Sequence, residues 1–418
     1  MNLVPDGDWR QVPVRLDAAR WATRLVCRKV LVVVHTVTTG QRLLDVVRLL
    51  EGDLRVQVVF TMVPDVFSNG VPDFLARLRA VVVPWRQAVE TRFDLALASG
   101  HEGIHELHAP VVVLPHGAGH NKLVADGRRA RTTADRGVYG LSRQWLVRDG
   151  AVVPDTIVLA HREEAARLAR GCPEALPAAA VVGDPCYDSI SVTLPLRALY
   201  RRALRTDSHQ RLVVVSSTWG PRSLLAQSPD LLDRLVEELP AEQYRIAVLL
   251  HPNVWNAHGE WQIRAWFATL CRAGVALVSQ DADWCGVLVA ADHVISDHGS
   301  AALYGTAAGA PVLMANFPDI DLDPDSPMAE LGAVAPRLRA DRPVAGQLAR
   351  SGSAQRRAAY TRVAARITSH PGRFARNMRA LLYRKLRLRP AKGCRPVALP
   401  ARLPVLVSEC RSESAGPQ

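Results

Sequence analysis

Runs of Val, Leu, Ile and Ala of strand length recur along this 418-residue chain with amphipathic segments between them, and no other feature restricts the fold as much. KVLVVVHT, from Lys29, is followed by TGQRLLDVVRLLEG and then by LRVQVVFTM, which reads as strand, amphipathic helix, strand. Near-continuous apolar strands, with no alternating polar face, belong to parallel sheets covered by helices on both sides. The rhythm continues through FLARLRAVVVPW, FDLALAS, APVVVLPHG, DTIVLAHREEAARLARG and AAAVVGDP. A second series runs RLVVVSSTWG, YRIAVLLHP, GVALVSQ, ADHVISDHGS and APVLMANF. Two doubly wound α/β units are predicted.

The chain is longer than one hydrophobic core usually organises. The predicted division is an N-terminal extension over 1–24, a first Rossmann-like domain over 25–192 and a second over 193–345. Basic helices over 346–390, interrupted by Pro371 and Gly372, are expected to pack back across the junction, and 391–418 reads as a loose tail.

Hydrophobic residues make up 48% and charged residues 22%, a globular rather than a disordered balance. No apolar run reaches the roughly 18 to 20 residues that span a bilayer, and the first residues lack the uninterrupted apolar stretch of a secretion signal. A cytosolic location is expected. Seven cysteines (Cys27, Cys172, Cys186, Cys271, Cys285, Cys394 and Cys410) form no CxxC pair, which points to neither a disulfide framework nor a zinc knuckle. Residues 342–408 hold sixteen Arg or Lys and no Asp or Glu, so the net +12 of the chain leaves about −4 for the rest. Such a tract is either a surface for an acidic partner, anionic lipid or nucleic acid, or simply a solvated arginine-rich helix.

Ligands of open parallel sheets bind at the carboxyl ends of the strands. His116 and Gly117 follow VVVLP, Ser216 to Trp219 follow RLVVV, His251 and Pro252 follow IAVLL, and Ser296 to Ser300 follow ADHVI. These motifs, in this order, resemble those of the CDP-glycerol glycerophosphotransferase family of teichoic-acid polymerases and primases, over roughly residues 110 to 320. HGAGHNK, from His116 to Lys122, is similar to the family's HGTPLK-type motif. Gly183-Asp184-Pro185 with Asp188 is similar to its G-x-P-R-x-D element, Thr218-Trp219 to its P-T-W turn, and His251-Pro252 to its histidine-proline pair. ADHVISDHGSAALYGTAAGAPVLM resembles its A-D-x-x-I-T-D-Y-S-S segment with the helix and strand that follow. His298, Gly299 and Cys186 replace the family's tyrosine, serine and arginine.

The resemblance implies a GT-B fold, with two Rossmann-like domains facing a cleft and the C-terminal helices crossing back. It implies His116 as general base, with His251 stabilising charge on the donor phosphate. Donor contacts fall on Thr218, Trp219, Ser296, Asp297, Gly299 and Ser300, and substrate contacts on Gly117, Lys122 and Asp188. Physically, free N–H groups where the SDHGS turn opens a helix suit a diphosphate. Gly299 would permit close backbone approach, although Asp297 or Ser300 could equally serve as helix caps. An imidazole suits deprotonation of a hydroxyl near neutral pH, although a strand-end histidine can also simply bond a neighbouring carbonyl.

The activity implied is transfer of a glycerol-phosphate, polyol-phosphate or sugar unit from a nucleotide-diphosphate donor to a cell-envelope acceptor hydroxyl. The acceptor would be lipid-linked or polymeric, and the tract from Arg356 to Arg389 would rest on the anionic inner membrane face. No cofactor, metal or specific nucleic acid is expected. Two other readings stay open: a noncatalytic GT-B-like protein binding an acidic polymer or partner, and a nucleotide-sugar epimerase.

Other motifs carry less. His101-Glu102-Gly103-Ile104-His105 satisfies the H-E-x-x-H pattern, but Gly103 and the short span between two strands argue against the helix that motif needs. There is no G-x-x-x-x-G-K-[ST] loop and no GxGxxG. Asp319, Asp321, Asp323 and Asp325 alternate like a calcium loop, yet Pro324 and the missing glycine and glutamate favour a solvated loop.

Overall fold

The computed structural model describes residues 10–14, 18–24, 26–64, 68–124, 136–391 and 397–407. The chain divides into two compact units. The first comprises Met1–Asp188, Ile320–Ala329 and Ala365–Ala398, and the second Ser189–Asp319, Glu330–Ala364 and Leu399–Gln418.

In the first unit the strands are β1 (Arg28–Val34), β2 (Val56–Met62), β3 (Val82–Val83), β4 (Leu95–Ala98) and β5 (Val111–Val113). A small hairpin, β6 (Val147–Arg148) and β7 (Ala151–Val152), precedes β8 (Thr156–Leu159) and β9 (Ala179–Val181). The hairpin turns on Asp149 and Gly150, both with φ above zero, the conformation that two-residue hairpin loops require. The other seven strands form one parallel sheet in the order β3-β2-β1-β4-β5-β8-β9. Alternate residues feed two cores: Val30, Val32, Val34, Leu95 and Leu97 enter one, and Leu31, Val33, Ala96 and Ala98 the other. Burial on both faces is why these strands read as unbroken apolar runs. The first core is covered by the helix Val37–Val47, through Val37, Leu43 and Val46. The helix Phe374–Lys385 adds Phe374, Met378, Leu381 and Leu382, each of which contributes about 1.5–3 kcal/mol when fully buried.

The second unit repeats the plan with β10 (Arg211–Ser217), β11 (Tyr244–Leu250), β12 (Ala276–Leu277), β13 (His293–Ser296) and β14 (Val312–Met314). All pairings are parallel, in the order β12-β11-β10-β13-β14. Both sheets therefore start in the middle and reverse direction once, the doubly wound arrangement.

The structure corrects three expectations. Residues 397–407 are seated rather than loose: Leu406 bridges Val278, Ser279 N–H donates to Val405 O (2.8 Å), Val407 N–H donates to Leu277 O (2.9 Å) and Tyr200 Oη donates to Ala401 O. The edge strand β12 supplies unpaired backbone groups, and this segment satisfies them. The acidic loop is not simply solvated either. Arg136 pairs with Asp321 (3.3 Å), Arg167 with Asp323 (2.8 Å) and Arg170 with Asp325 (2.5 Å) in the first unit, and Arg337 with Asp319 (3.0 Å) in the second. Part of the basic tract is internal: Arg379 is buried, stacks on Tyr383 and donates to Leu49 O, and Lys385 pairs with Asp155.

His101-Glu102-Gly103 is a turn with Gly103 at φ 72°, leading into a single 3-10 turn, Ile104–Glu106, so no helix face joins His101 to His105. Cys172, Cys186 and Cys285 are buried thiols, whereas Cys394 and Cys410 lie outside the described residues. No described helix is long and apolar enough to cross a membrane.

Candidate functional site

In each sheet the strand order reverses between the first strand and the fourth, and the carboxyl ends flanking that reversal make the natural ligand crevice. In the second unit these are the ends of β10 and β13. Asp297, directly after β13, is fully buried. Its Oδ2 accepts from Thr218 N–H (2.8 Å), Thr218 Oγ1 (2.7 Å) and Leu224 N–H (2.9 Å), and its Oδ1 accepts from Gly299 N–H (3.0 Å). Asp297 thus ties the turn after β10 to the turn after β13. Ser296, also fully buried, donates to Ser216 O (3.2 Å). Both were expected among the donor contacts, and both are instead committed to holding the turns.

What those two residues hold is a small, partly open group. Gly299 is required by proximity, because a Cβ there would lie 2.6 Å from Thr218 Cγ2. Ser300 opens the helix Ser300–Ala307, whose first N–H groups have no intrahelical partner and carry the positive end of the helix dipole. Trp219 is 42% exposed, its ring 6.4 Å from that of His251. His251 follows β11, and its Nδ1 accepts from Asn253 N–H (3.1 Å). That bond places the proton of the neutral ring on Nε2.

In the first unit, His116 and Gly117 follow β5, and Arg42 donates to Gly117 O (3.2 Å). The His116 ring hydrogen-bonds to the backbone of Ser99, just after β4. More than a third of His116 is open to solvent, yet its surroundings disfavour the charged ring. Desolvation is the largest cause, Lys122 and Arg42 add to it, and together they push the pKa down to about 4. Solvent access screens part of that effect, but the direction leaves His116 neutral near pH 7. Lys122 is exposed, and its backbone bridges Leu322.

Asp188, expected to contact substrate, is 2% exposed and caps a helix: Oδ1 accepts from Gly372 N–H (2.6 Å) and Oδ2 from Phe374 N–H (2.9 Å). Burial nonetheless raises its pKa.

Several polar residues here had no signal in the sequence. Glu164 is buried and accepts from His120 N–H (2.8 Å), His120 Nδ1 (2.9 Å), Ala160 N–H (2.7 Å) and His161 N–H (3.1 Å). Burial would raise its pKa, but His120 and Arg167 outweigh that and hold it down to about 2. Glu164 also explains Gly119, at φ 69°, where a Cβ would meet the carboxylate at 2.6 Å. The HGAGHNK segment is therefore shaped from below by a carboxylate 44 residues away. His101 is neutral as well, pushed down to about 3 by desolvation and by the neighbouring histidines. No group of three or more metal-ligating side chains is found among the described residues.

The candidate residues thus form two groups. His116, Gly117 and Lys122 lie in the first unit, and Thr218, Trp219, His251, Gly299 and Ser300 in the second.

No protein-family model and no curated protein matches the sequence. Among solved structures, the wall teichoic acid polymerase TagF superposes with a TM-score of 0.54 at 11% identity, covering 86% of this chain and 89% of that one. A TagF variant soaked with CDPG superposes equally well, at 0.54 and 11% over 86% and 88%. The S. aureus MnaA–UDP structure reaches 0.49 at 8% identity, over 86% and 96%. At such identities the likeness to TagF shows the fold, and the chain has a GT-B-like α/β fold.

Proposed function

We propose that this protein is a transferase that moves a glycerol-phosphate, polyol-phosphate or sugar unit from a nucleotide-diphosphate donor, of the CDP-glycerol type, to an acceptor hydroxyl. One observation carries this reading: Asp297 locks the turns after β10 and β13 so that the N-terminus of the helix Ser300–Ala307 stands beside Thr218. Open amides, the helix dipole, Gly299 and the Ser300 hydroxyl suit the two phosphates of such a donor. His251, with its proton on Nε2, is a hydrogen-bond donor suited to charge developing on the leaving phosphate, and the exposed face of Trp219 suits a nucleobase.

In the first unit, neutral His116 has one nitrogen held by the Ser99 backbone and the other to accept the acceptor's proton. Lys122 and Gly117 complete the acceptor side. TagF, named as a teichoic acid polymerase and soaked with CDPG, supports this choice of donor class.

The acceptor is proposed to be lipid-linked or polymeric, with the protein peripheral on an anionic membrane face. Within the basic tract, Arg373, Arg376, Arg384 and Arg387 are all exposed on and beside the helix Phe374–Lys385, and their three- and eight-residue spacing lines them along one side. This stripe supports an anionic contact.

The test is transfer from radiolabelled CDP-glycerol and UDP-sugars to membrane-derived acceptors, with wild type and His116→Ala compared. Wild-type turnover that the substitution abolishes supports the reading. Full turnover in His116→Ala removes His116 from the mechanism. No turnover, with polyanions but no nucleotide bound, favours a noncatalytic binding protein.

A further inference from the structure

Two hydroxyls of the first unit find no protein partner. Ser99, just after β4, is 2% exposed, and its Oγ bonds to nothing among the described residues; Thr38 Oγ1 is likewise buried and unpartnered. A buried hydroxyl without a partner has lost its bonds to water and gained none, so it is a net cost to the folded chain. Alanine at 99 and valine at 38 would avoid that cost.

The strand pattern shows where Ser99 points. Leu95 and Leu97 lie on the sheet face covered by the helix Val37–Val47, whereas Ala96 and Ala98 face the opposite core. With a period of two, Ser99 falls on the helix side. Val33 pairs with Ala98, so Ser99 stands beside the end of β1, where that helix begins. Within the helix start, Thr36 Oγ1 accepts from Thr39 N–H (3.2 Å), and Gly40 N–H opens the ladder by donating to Thr36 O (2.9 Å). The Val37 and Thr38 N–H groups remain as the open donors of an eleven-residue helix. Arg42, one turn further on, buried and paired with Asp184 (3.8 Å), and Lys122 are the cations that already depress His116.

We propose that Ser99 Oγ, Thr38 Oγ1 and the open amides of the helix Val37–Val47 form an oxyanion subsite. It takes a phosphate-like group carried by the molecule whose hydroxyl His116 deprotonates. Two hydroxyls and two amides, set at a helix start and at the strand end beside it, offer four donors, which suits a tetrahedral oxyanion better than a neutral polyol. The inference rests on the transferase reading for its link to an acceptor, but the subsite itself is measurable without turnover.

The experiment is thermal denaturation of the full chain in phosphate-free buffer with inorganic phosphate, glycerol 3-phosphate, acetate or glycerol, and separately with CDP. Wild type is compared with Ser99→Ala/Thr38→Val and with Ser300→Ala. Both phosphates should raise the wild-type Tm, by about 3 °C at a tenfold excess over Kd, and acetate and glycerol should not. A larger shift with the monoester than with phosphate assigns the oxyanion to an organic acceptor; equal shifts assign the site to free phosphate and overturn the acceptor link. The double variant should lose the phosphate shift and keep any CDP shift, which also shows that it is folded. A phosphate shift that persists in the double variant overturns the subsite, as does no shift in wild type. If CDP fails to stabilise any form, the donor reading falls, while the phosphate comparison still decides the subsite.

Discussion

A histidine serves as a base only while it is unprotonated, and the surroundings of His116, the proposed base, favour that form. Desolvation, Lys122 and Arg42 hold it near 4, so turnover limited by this group should be flat from about pH 5 upward and fall as pH drops through its pKa. His116→Ala should lower kcat by about 10²–10⁴ with no change in Tm, read from initial rates and calorimetry. His293 obeys the same electrostatics with a stability consequence. It is 8% exposed in β13, its Nδ1 has no partner among the described residues, and burial pushes its pKa down to about 4. The unfolded chain then binds the extra proton between about pH 4 and 6.5, so stability should fall as pH falls through that window, by at most about 3 kcal/mol. His293→Leu should flatten this slope in urea titrations at pH 4.5 and 7. The positions of His116, Thr218, His251 and Ser300 were legible because each follows an apolar run. The committed carboxylates were not, because Asp297, Asp188 and Glu164 are defined by backbone amides that only the folded chain brings to them. Asp297→Asn sets an amide against a site that presents donors alone, which should cost about 3 kcal/mol and weaken nucleotide binding, checked by melting and calorimetric titration.

Strands and helices were legible because both faces of each sheet are buried, which writes burial into sequence as continuous apolar runs rather than alternation. The C-terminal segment escaped for the opposite reason. Residues 399–407 carry Pro and Arg without periodicity, and their order comes from partners on β12 and on Tyr200, not from their own propensity. Deleting residues 397–418 should therefore leave the β12 edge open and the buried Tyr200 hydroxyl without its acceptor. A loss of about 3 kcal/mol follows, and a fall in Tm of roughly 6 °C or more with increased aggregation, measured by calorimetry and light scattering. The helix Phe374–Lys385 was legible as basic but not as amphipathic in function: one side fills the first core while Arg373, Arg376, Arg384 and Arg387 stay outside. Replacing those four by Glu should weaken sedimentation with anionic vesicles at least about 10²-fold, at roughly 1 kcal/mol per charge, and leave Tm unchanged. Equal binding by the variant would return the tract to an ordinary solvated face.

Across the complete chain, the proposed function makes donor binding separable from chemistry. The residues proposed for the nucleotide, Thr218, Trp219, His251, Gly299 and Ser300, all belong to the second unit, and His116, proposed as the base, belongs to the first. The contacts proposed for the nucleotide do not include His116. A nucleoside diphosphate that fits the second unit should therefore stabilise His116→Ala as well as wild type. At a hundredfold excess over Kd the gain is about 2.7 kcal/mol, or roughly 5–10 °C in Tm for a unit of this size. CDP, UDP and GDP compared side by side would identify the base that Trp219 receives. Gly299→Ala should remove the shift, because its Cβ would sit 2.6 Å from Thr218 and force apart the two turns that Asp297 ties together. A nucleotide shift that Gly299→Ala leaves intact would place the nucleotide elsewhere in the fold and separate the TagF-like architecture from a TagF-like donor site.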